Sequence, residues 1–176
     1  MPAYYEFEIW LREIEPRIWR RLQLPVNATF LDLHHAIQDA CGWENAHLFV
    51  FRDDDGNSIA GVPYDTWAEP DPDAAKVRLS DFFETEPRCQ YEYDFGDSWL
   101  HEVRLRRPVE SRERFERRLL DGARAFPPED CGGVPGYEEC VQVARGGDDP
   151  GEIREWLGEW DPERFNLDEV RRVFDY

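Results

Sequence analysis

The chain has 176 residues, 41% of them apolar and 14% aromatic; this length fits one domain that buries roughly 70% of its unfolded surface, and the composition excludes intrinsic disorder. With 39 acidic and 21 basic residues the net charge is -18, which disfavours direct binding of duplex DNA because counterion release needs cations clustered on the phosphates. No apolar run approaches the ~18 residues of a membrane helix, and the N-terminus MPAYYEFEIW lacks the layout of a signal peptide, so no membrane is expected and the reading is a cytoplasmic protein.

Residues 4–12 alternate, with Tyr5, Phe7, Ile9 and Leu11 on one face and Glu6 and Glu8 on the other, which predicts a half-buried strand. Beyond Pro16, Ile18, Leu22 and Leu24 share a face up to Pro25, predicting the second arm of an antiparallel hairpin. Thr29 then precedes FLDLHHAIQDACG with Asp32 three residues on, while Phe30, Leu33, Ile37, Ala40 and Cys41 recur at helical spacing. That pattern predicts a capped helix ending at Gly42. His47 to Phe51 reads as a strand, and Asp53 to Asn57 as a turn.

Residues 60–78 carry Gly61, Pro63, Pro70 and Pro72 and read as an exposed insertion loop. Leu79 to Glu84 predicts a short helix with Ser80 as its cap. CQYEYDF and WLHEVRLR, joined by Gly96-Asp97-Ser98, form the clearest hairpin. Residues 111–120 read as a charged helical stretch, and residues 121–137, rich in Gly and Pro, as a long locked loop containing PPED. Helices are expected over 137–145 and 152–160, with Asp161-Pro162 starting another that carries Leu167, Val170, Val173 and Phe174. The predicted fold class is α+β, a single domain over 1–176. It has an antiparallel or mixed β-sheet, one helix inserted after the first hairpin, and a helical C-terminal third.

Cys41, Cys89, Cys131 and Cys140 include no C-x-x-C pair, which argues against a structural zinc and for free thiols. Cys131 beside two glycines is a weak nucleophile candidate, since no sequence rule places an activating base near it. His34 and Gln38, four apart on the helix, point the same way; His35 and Asp39 form a second such pair and read as solvated. His101 falls on the apolar face of its strand and His47 on the face of Phe49 and Phe51, so each polar ring needs a partner. Imidazole ligates transition metals and titrates near neutrality, so convergence of His34, His47 and His101 with Asp94 or Asp97 is one reading, against hydrogen-bonded core residues as the other. Asp94-Phe95-Gly96 matches the metal triplet of protein kinases but lacks the preceding phosphate loop, and reads as a turn. Glu129 and Asp130 are either a ligand carboxylate pair or caps for backbone N–H groups.

Five strings occur in order: P-x-I-W-R-R (Pro16 to Arg21), L-H-H-A-I-Q-D-A-C-G-W (Leu33 to Trp43), H-L-F-V-F (His47 to Phe51), Y-D-F-G-D-S-W-L-H (Tyr93 to His101) and P-P-E-D-C-G-G-V-P-G-Y (Pro127 to Tyr137). Together with W-L-G-E-W-D-P-E-R-F (Trp156 to Phe165) they closely resemble the plasmid pRiA4b ORF-3-like family across nearly the whole chain. The resemblance implies an α+β domain associated with plasmids or mobile elements, with no established reaction, substrate or cofactor. Some relatives carry the insertion-element passenger label TnpR, which suggests a resolvase, yet no serine-recombinase site or basic tail is present here. Many relatives have extra Cys just before the PPED loop; Leu119 to Phe126 has none.

The residues matching these strings without being required by packing are His34, Gln38, Trp43, His47, Asp94, Asp97, Trp99, His101, Glu129, Asp130 and Tyr137. They form the candidate pocket, closed where the PPED loop lies against the 89–105 hairpin. The favoured function is a non-enzymatic binding or adaptor module for a protein partner, anchored by exposed Trp such as Trp67, Trp156 and Trp160. The alternatives are a metal-dependent hydrolase or nuclease using Asp94, Asp97 and His101 with His47 or His34, an accessory protein of transposition or recombination, and small-ligand sensing. No cofactor is required by the sequence, and His47, Asp94, Asp97 and His101 are the metal candidates should one bind.

Overall fold

The computed structural model describes residues 2–63 and 69–176. Strand β1 (Ala3–Leu11) is an interior strand of the sheet, pairing antiparallel with β2 (Trp19–Pro25) on one side and with the central strand β6 (Trp99–Glu110) on the other. Outward from β6 lie β5 (Arg88–Tyr93), β3 (Phe49–Arg52) and β4 (Ser58–Gly61), and outward from β2 lies β7 (Arg118–Ala123). The order is therefore β4-β3-β5-β6-β1-β2-β7, and every pairing is antiparallel.

Period-two patterning decides which face is covered. Phe7, Ile9, Leu22, Phe51, Tyr91 and Val103 are sealed against α1 (Phe30–Cys41) and α2 (Leu79–Phe83). The Phe83 ring lies 4.9 Å from Phe7 and 5.8 Å from Phe30, and the Phe30 ring 5.0 Å from Phe51. The opposite face carries cross-strand polar pairs such as Arg106–Glu8, Arg52–Glu92 and Gln90–Glu102, each contributing only tenths of a kcal/mol. Helix α1 starts on a reciprocal cap in which Thr29 and Asp32 each accept the other's main-chain N–H, and it ends at Gly42 with φ 76°, a conformation glycine adopts without strain.

The predicted helical C-terminal third is not what forms. The fold is a seven-stranded antiparallel sheet with small helices, and β6 runs to Glu110 before β7 adds a further strand. The later helices α3 (Gly133–Ala144), α4 (Arg154–Leu157) and α5 (Leu167–Phe174) span 12, 4 and 8 residues. Residues 111–120 are not helical because tertiary partners claim them. Buried Leu119 pairs with Leu22 of β2, and its N–H donates to the Asp175 carboxylate. The buried Arg117 guanidinium donates to the Phe174 carbonyl and to Asp39, and the Glu116 and Arg117 amides donate to the Tyr176 carbonyl. Charged residues at strand spacing carry no apolar stripe, so composition alone favoured a helix.

Smaller differences have equally local causes. The cap ahead of α2 is Arg78, whose N–H donates to Asp81, and Ser80 lies inside the helix. Asp161 accepts from the Glu163 N–H in a turn, while Asn166 caps the last helix through the Glu169 N–H. Within 60–78, Ala60 and Ala74 are buried, and Leu31 donates its N–H to the Ala74 carbonyl; Trp67 lies outside the described residues. Strand β7 and helix α3 take the two ends of 121–137, leaving residues 124–132 as the loop between them. Among the described residues, no helix is long and apolar enough to cross a membrane.

Candidate functional site

Antiparallel pairing of β3, β5 and β6 brings three connections to one end of the sheet: residues 43–47 ahead of β3, the turn 94–98 between β5 and β6, and the PPED loop ahead of α3. The first is positioned by a closed hydrogen-bond circuit beneath it. His34 and Gln38, one turn apart on α1, both reach the Tyr91 hydroxyl, which lies 2.7 Å from His34 Nδ1 and accepts from Gln38 Nε2 at 3.2 Å. His34 Nε2 donates to Asn45 Oδ1 at 2.6 Å, and the Asn45 N–H donates to Gln38 Oε1 at 2.8 Å. Every member gains a partner, which is what allows polar groups this deep in the protein. The His34 ring also stacks on Phe49, with centroids 3.6 Å apart.

The PPED loop is fixed to that first connection by further bonds. Trp43 Nε1 donates to the Pro127 carbonyl at 2.9 Å, and the Glu44 N–H donates to Glu129 at 2.5 Å. The Tyr93 hydroxyl accepts the Ala46 N–H and donates to Glu129. Asp97 accepts the Gly132 N–H at 3.1 Å, tying the turn to the same loop. Asp94, at φ 62°, accepts from the Gly96 and Asp97 amides through Oδ1, leaving Oδ2 on the side of His47.

His47 Nε2 is the meeting point. It lies 2.6 Å from Asp130 Oδ1, 3.6 Å from Asp94 Oδ2 and 4.0 Å from Glu129 Oε1. Asp94 is buried, Glu129 nearly so and Asp130 exposed, so the cluster opens to solvent on the Asp130 side. Partial burial alone would lower the His47 pKa, but the hydrogen bond to Asp130 and the charges of Asp94, Asp130 and Glu129 outweigh it, and the pKa is raised. Burial first, and then the Glu129 bond, raise the Tyr93 hydroxyl.

The structure thus joins His47, Asp94, Glu129 and Asp130 directly, with Asp97 alongside and His34, Gln38 and Trp43 supporting them from below. The four metal candidates are divided. Asp97 serves as an acceptor for the loop, and His101 is fully buried, donating from Nδ1 to the Tyr91 carbonyl at 3.1 Å. His101 Nε2 has no hydrogen-bond partner among the described residues, and the ring sits edge-on to Trp43 and parallel to Phe126. Burial holds both His34 and His101 down to about 4, against the bonds each makes. Trp99 is buried in the aromatic layer with Trp43 and Tyr93. Tyr137 belongs elsewhere, packed against Trp160 and accepting from Arg124.

All four thiols are free, and burial raises the Cys131 pKa, so the weak nucleophile candidate has the wrong electrostatics. Trp156 is exposed, whereas Trp160 is half-buried and donates to the Phe126 carbonyl. Asn45, Tyr91 and Tyr93 are the residues that sequence reasoning did not single out as part of the site. The only local signal was two tyrosines spaced by two on the covered face of a strand, which packing alone also explains.

A small antiparallel-sheet domain with a histidine and three carboxylates gathered by loops at one end is the class this geometry defines. The family model described as plasmid pRiA4b ORF-3-like protein matches residues 3–169, and the chain belongs to that family. It is 33% identical over 178 residues to the uncharacterized protein y4hQ of Sinorhizobium fredii (strain NBRC 101917 / NGR234), covering 96% of this chain and 89% of that one. The crystal structure of the protein of unknown function MM3350 from Methanosarcina mazei Go1 superposes with a TM-score of 0.86 at 37% identity, covering 97% of each chain.

Proposed function

We propose that the protein is a cytoplasmic, non-enzymatic binding module whose loop-built end recognises a basic, apolar segment of a protein partner. One observation carries this reading. Asp94, Glu129 and Asp130 converge on His47, none has an Arg or Lys partner among the described residues, and the neighbouring Leu48 and Phe95 are each 39% exposed. A cationic side chain would complete the charge balance, while Leu48 and Phe95 would give an apolar anchor a place to bury. The net charge of -18 favours approach of a basic partner.

Selection of random peptides displayed on phage against the intact protein tests this. The expected consensus places Arg or Lys beside an apolar residue and disappears against the D94N/E129Q/D130N variant. A neutral or acidic consensus, or one indifferent to the variant, overturns the reading.

A second reading has its own observation: ligand atoms of His47, Asp94 and Asp130 all lie within 4.8 Å of one another. One imidazole nitrogen with carboxylate oxygens suits a divalent transition ion such as zinc or manganese, which would displace the proton from His47. Elemental mass spectrometry and zinc titration of untagged protein test it. Stoichiometric metal lost in H47A supports the site, and no metal at either stage removes it.

A further inference from the structure

A cleft of about 430 Å³ opens between the C-terminus of α1, the start of α5 and residues 159–166. Its base is Arg20, on β2. The residue is 4% exposed, and its guanidinium has no ion-pair partner among the described residues. Nε donates to the Ala40 carbonyl at 3.0 Å, and Nη1 to the Trp19 and Ala123 carbonyls at 2.8 and 3.2 Å. Nη2 has no acceptor among the described residues, and Arg20 lines the cleft.

The placement of Arg20 is built in. The rings of Phe126 and Phe165 flank the guanidinium at 4.8 and 4.0 Å, and a Cβ at Gly122 would stand 2.8 Å from Arg20 Cδ and 2.9 Å from Phe165. Burial pulls the Arg20 pKa down to about 10. Carbonyl dipoles and aromatic faces surround this buried cation, but no counter-charge does, and an anionic ligand would supply one. The mouth has the opposite character. Asp39 and Glu169 line it but are neutralised by Arg117 and Arg164, whereas the exposed Glu159 and Asp161 have no cationic partner among the described residues. Trp160 and Val170 add apolar lining.

We propose that this cleft is a second binding site, one for a small zwitterion: an amino acid with an apolar side chain, its carboxylate on Arg20 and its ammonium toward Glu159 and Asp161. A cleft of this size lies within the range of small-molecule sites. With Nε and Nη1 taken by carbonyls, Nη2 is the donor left for a carboxylate oxygen, in a charge-assisted hydrogen bond.

Thermal unfolding of the full chain with each of the twenty amino acids tests the proposal. Apolar members, phenylalanine and leucine among them, are expected to raise the melting temperature by roughly 5–10 °C at a hundredfold excess over Kd. Phenylalaninamide, which lacks the carboxylate, should give no shift. The exposed double variant E159Q/D161N should lose most of the phenylalanine shift while keeping any shift given by hydrocinnamate, which lacks the ammonium. R20K should lose both; if R20K does not fold, the amide and the double variant decide. No shift from any amino acid, or equal shifts from phenylalanine and its amide, overturns the proposal.

Discussion

Tyr93 illustrates how single side chains hold the acidic end together: its hydroxyl accepts the Ala46 N–H and donates to Glu129, so one oxygen fixes two of the three connections. Y93F removes that oxygen and leaves a main-chain donor and a carboxylate without their shared partner. The expected loss is about 1–3 kcal/mol in urea unfolding, with faster amide exchange confined to residues 43–47 and 127–132; an unchanged midpoint would show that water substitutes for the hydroxyl. The buried histidines set the response to acid. His34 and His101 have folded pKa values of about 4, below the ordinary 6.5, so folding favours their neutral forms. Their contribution is complete above pH 6.5 and is lost as pH falls from 6.5 toward 4, by at most about 3 kcal/mol each. His47 has the opposite sign: its raised pKa makes its contribution present below 6.5 and lost as pH rises through its folded value. Urea midpoints should therefore fall steadily from pH 7 to pH 4.5, and a flat profile over that range would contradict the burial of both rings in neutral form.

Among the elements, α1 and β7 show what a sequence makes legible. The reciprocal Thr29–Asp32 cap and the Gly42 terminus follow from rules that act within a few residues, and both form where the sequence places them. The orientation of His34 and Gln38 was equally readable from helical spacing, but the Tyr91 and Asn45 groups they meet are 57 and 11 residues from His34. No local rule identifies such partners. Strand β7 was illegible for the same reason: Arg117, Leu119 and the C-terminal residues stabilise one another across a gap no periodicity reports. Gly122 on that strand allows Arg20 and Phe165 to pack over it. G122A forces those groups outward and is expected to cost about 1–3 kcal/mol, read from the urea midpoint, because overpacking a filled site displaces its neighbours. A neutral effect would mean that the Arg20 side chain yields easily, and would weaken its role as a fixed anion anchor.

For the molecule as a whole, the surplus of acid divides into pairs and a remainder. Across the open face of the sheet, glutamates face arginines strand by strand, whereas Asp94, Glu129 and Asp130 share only His47. That asymmetry supports the proposal that this end of the sheet is a recognition surface. The D94N/E129Q/D130N variant is suited to test it, since asparagine tolerates the left-handed backbone at 94 and 130 and each carboxamide keeps one oxygen; at 129 that oxygen accepts the Glu44 N–H while the amide nitrogen faces the Tyr93 hydroxyl. The decisive measurement is the fluorescence anisotropy of a phage-selected basic peptide titrated with wild type and with this variant at low and physiological salt. Tighter binding at low salt is expected for the wild type, with at least about a tenfold loss in the variant, since each unit charge removed at a partly buried site is worth on the order of 1 kcal/mol. Equal affinity of both proteins at both salt concentrations would contradict the proposal.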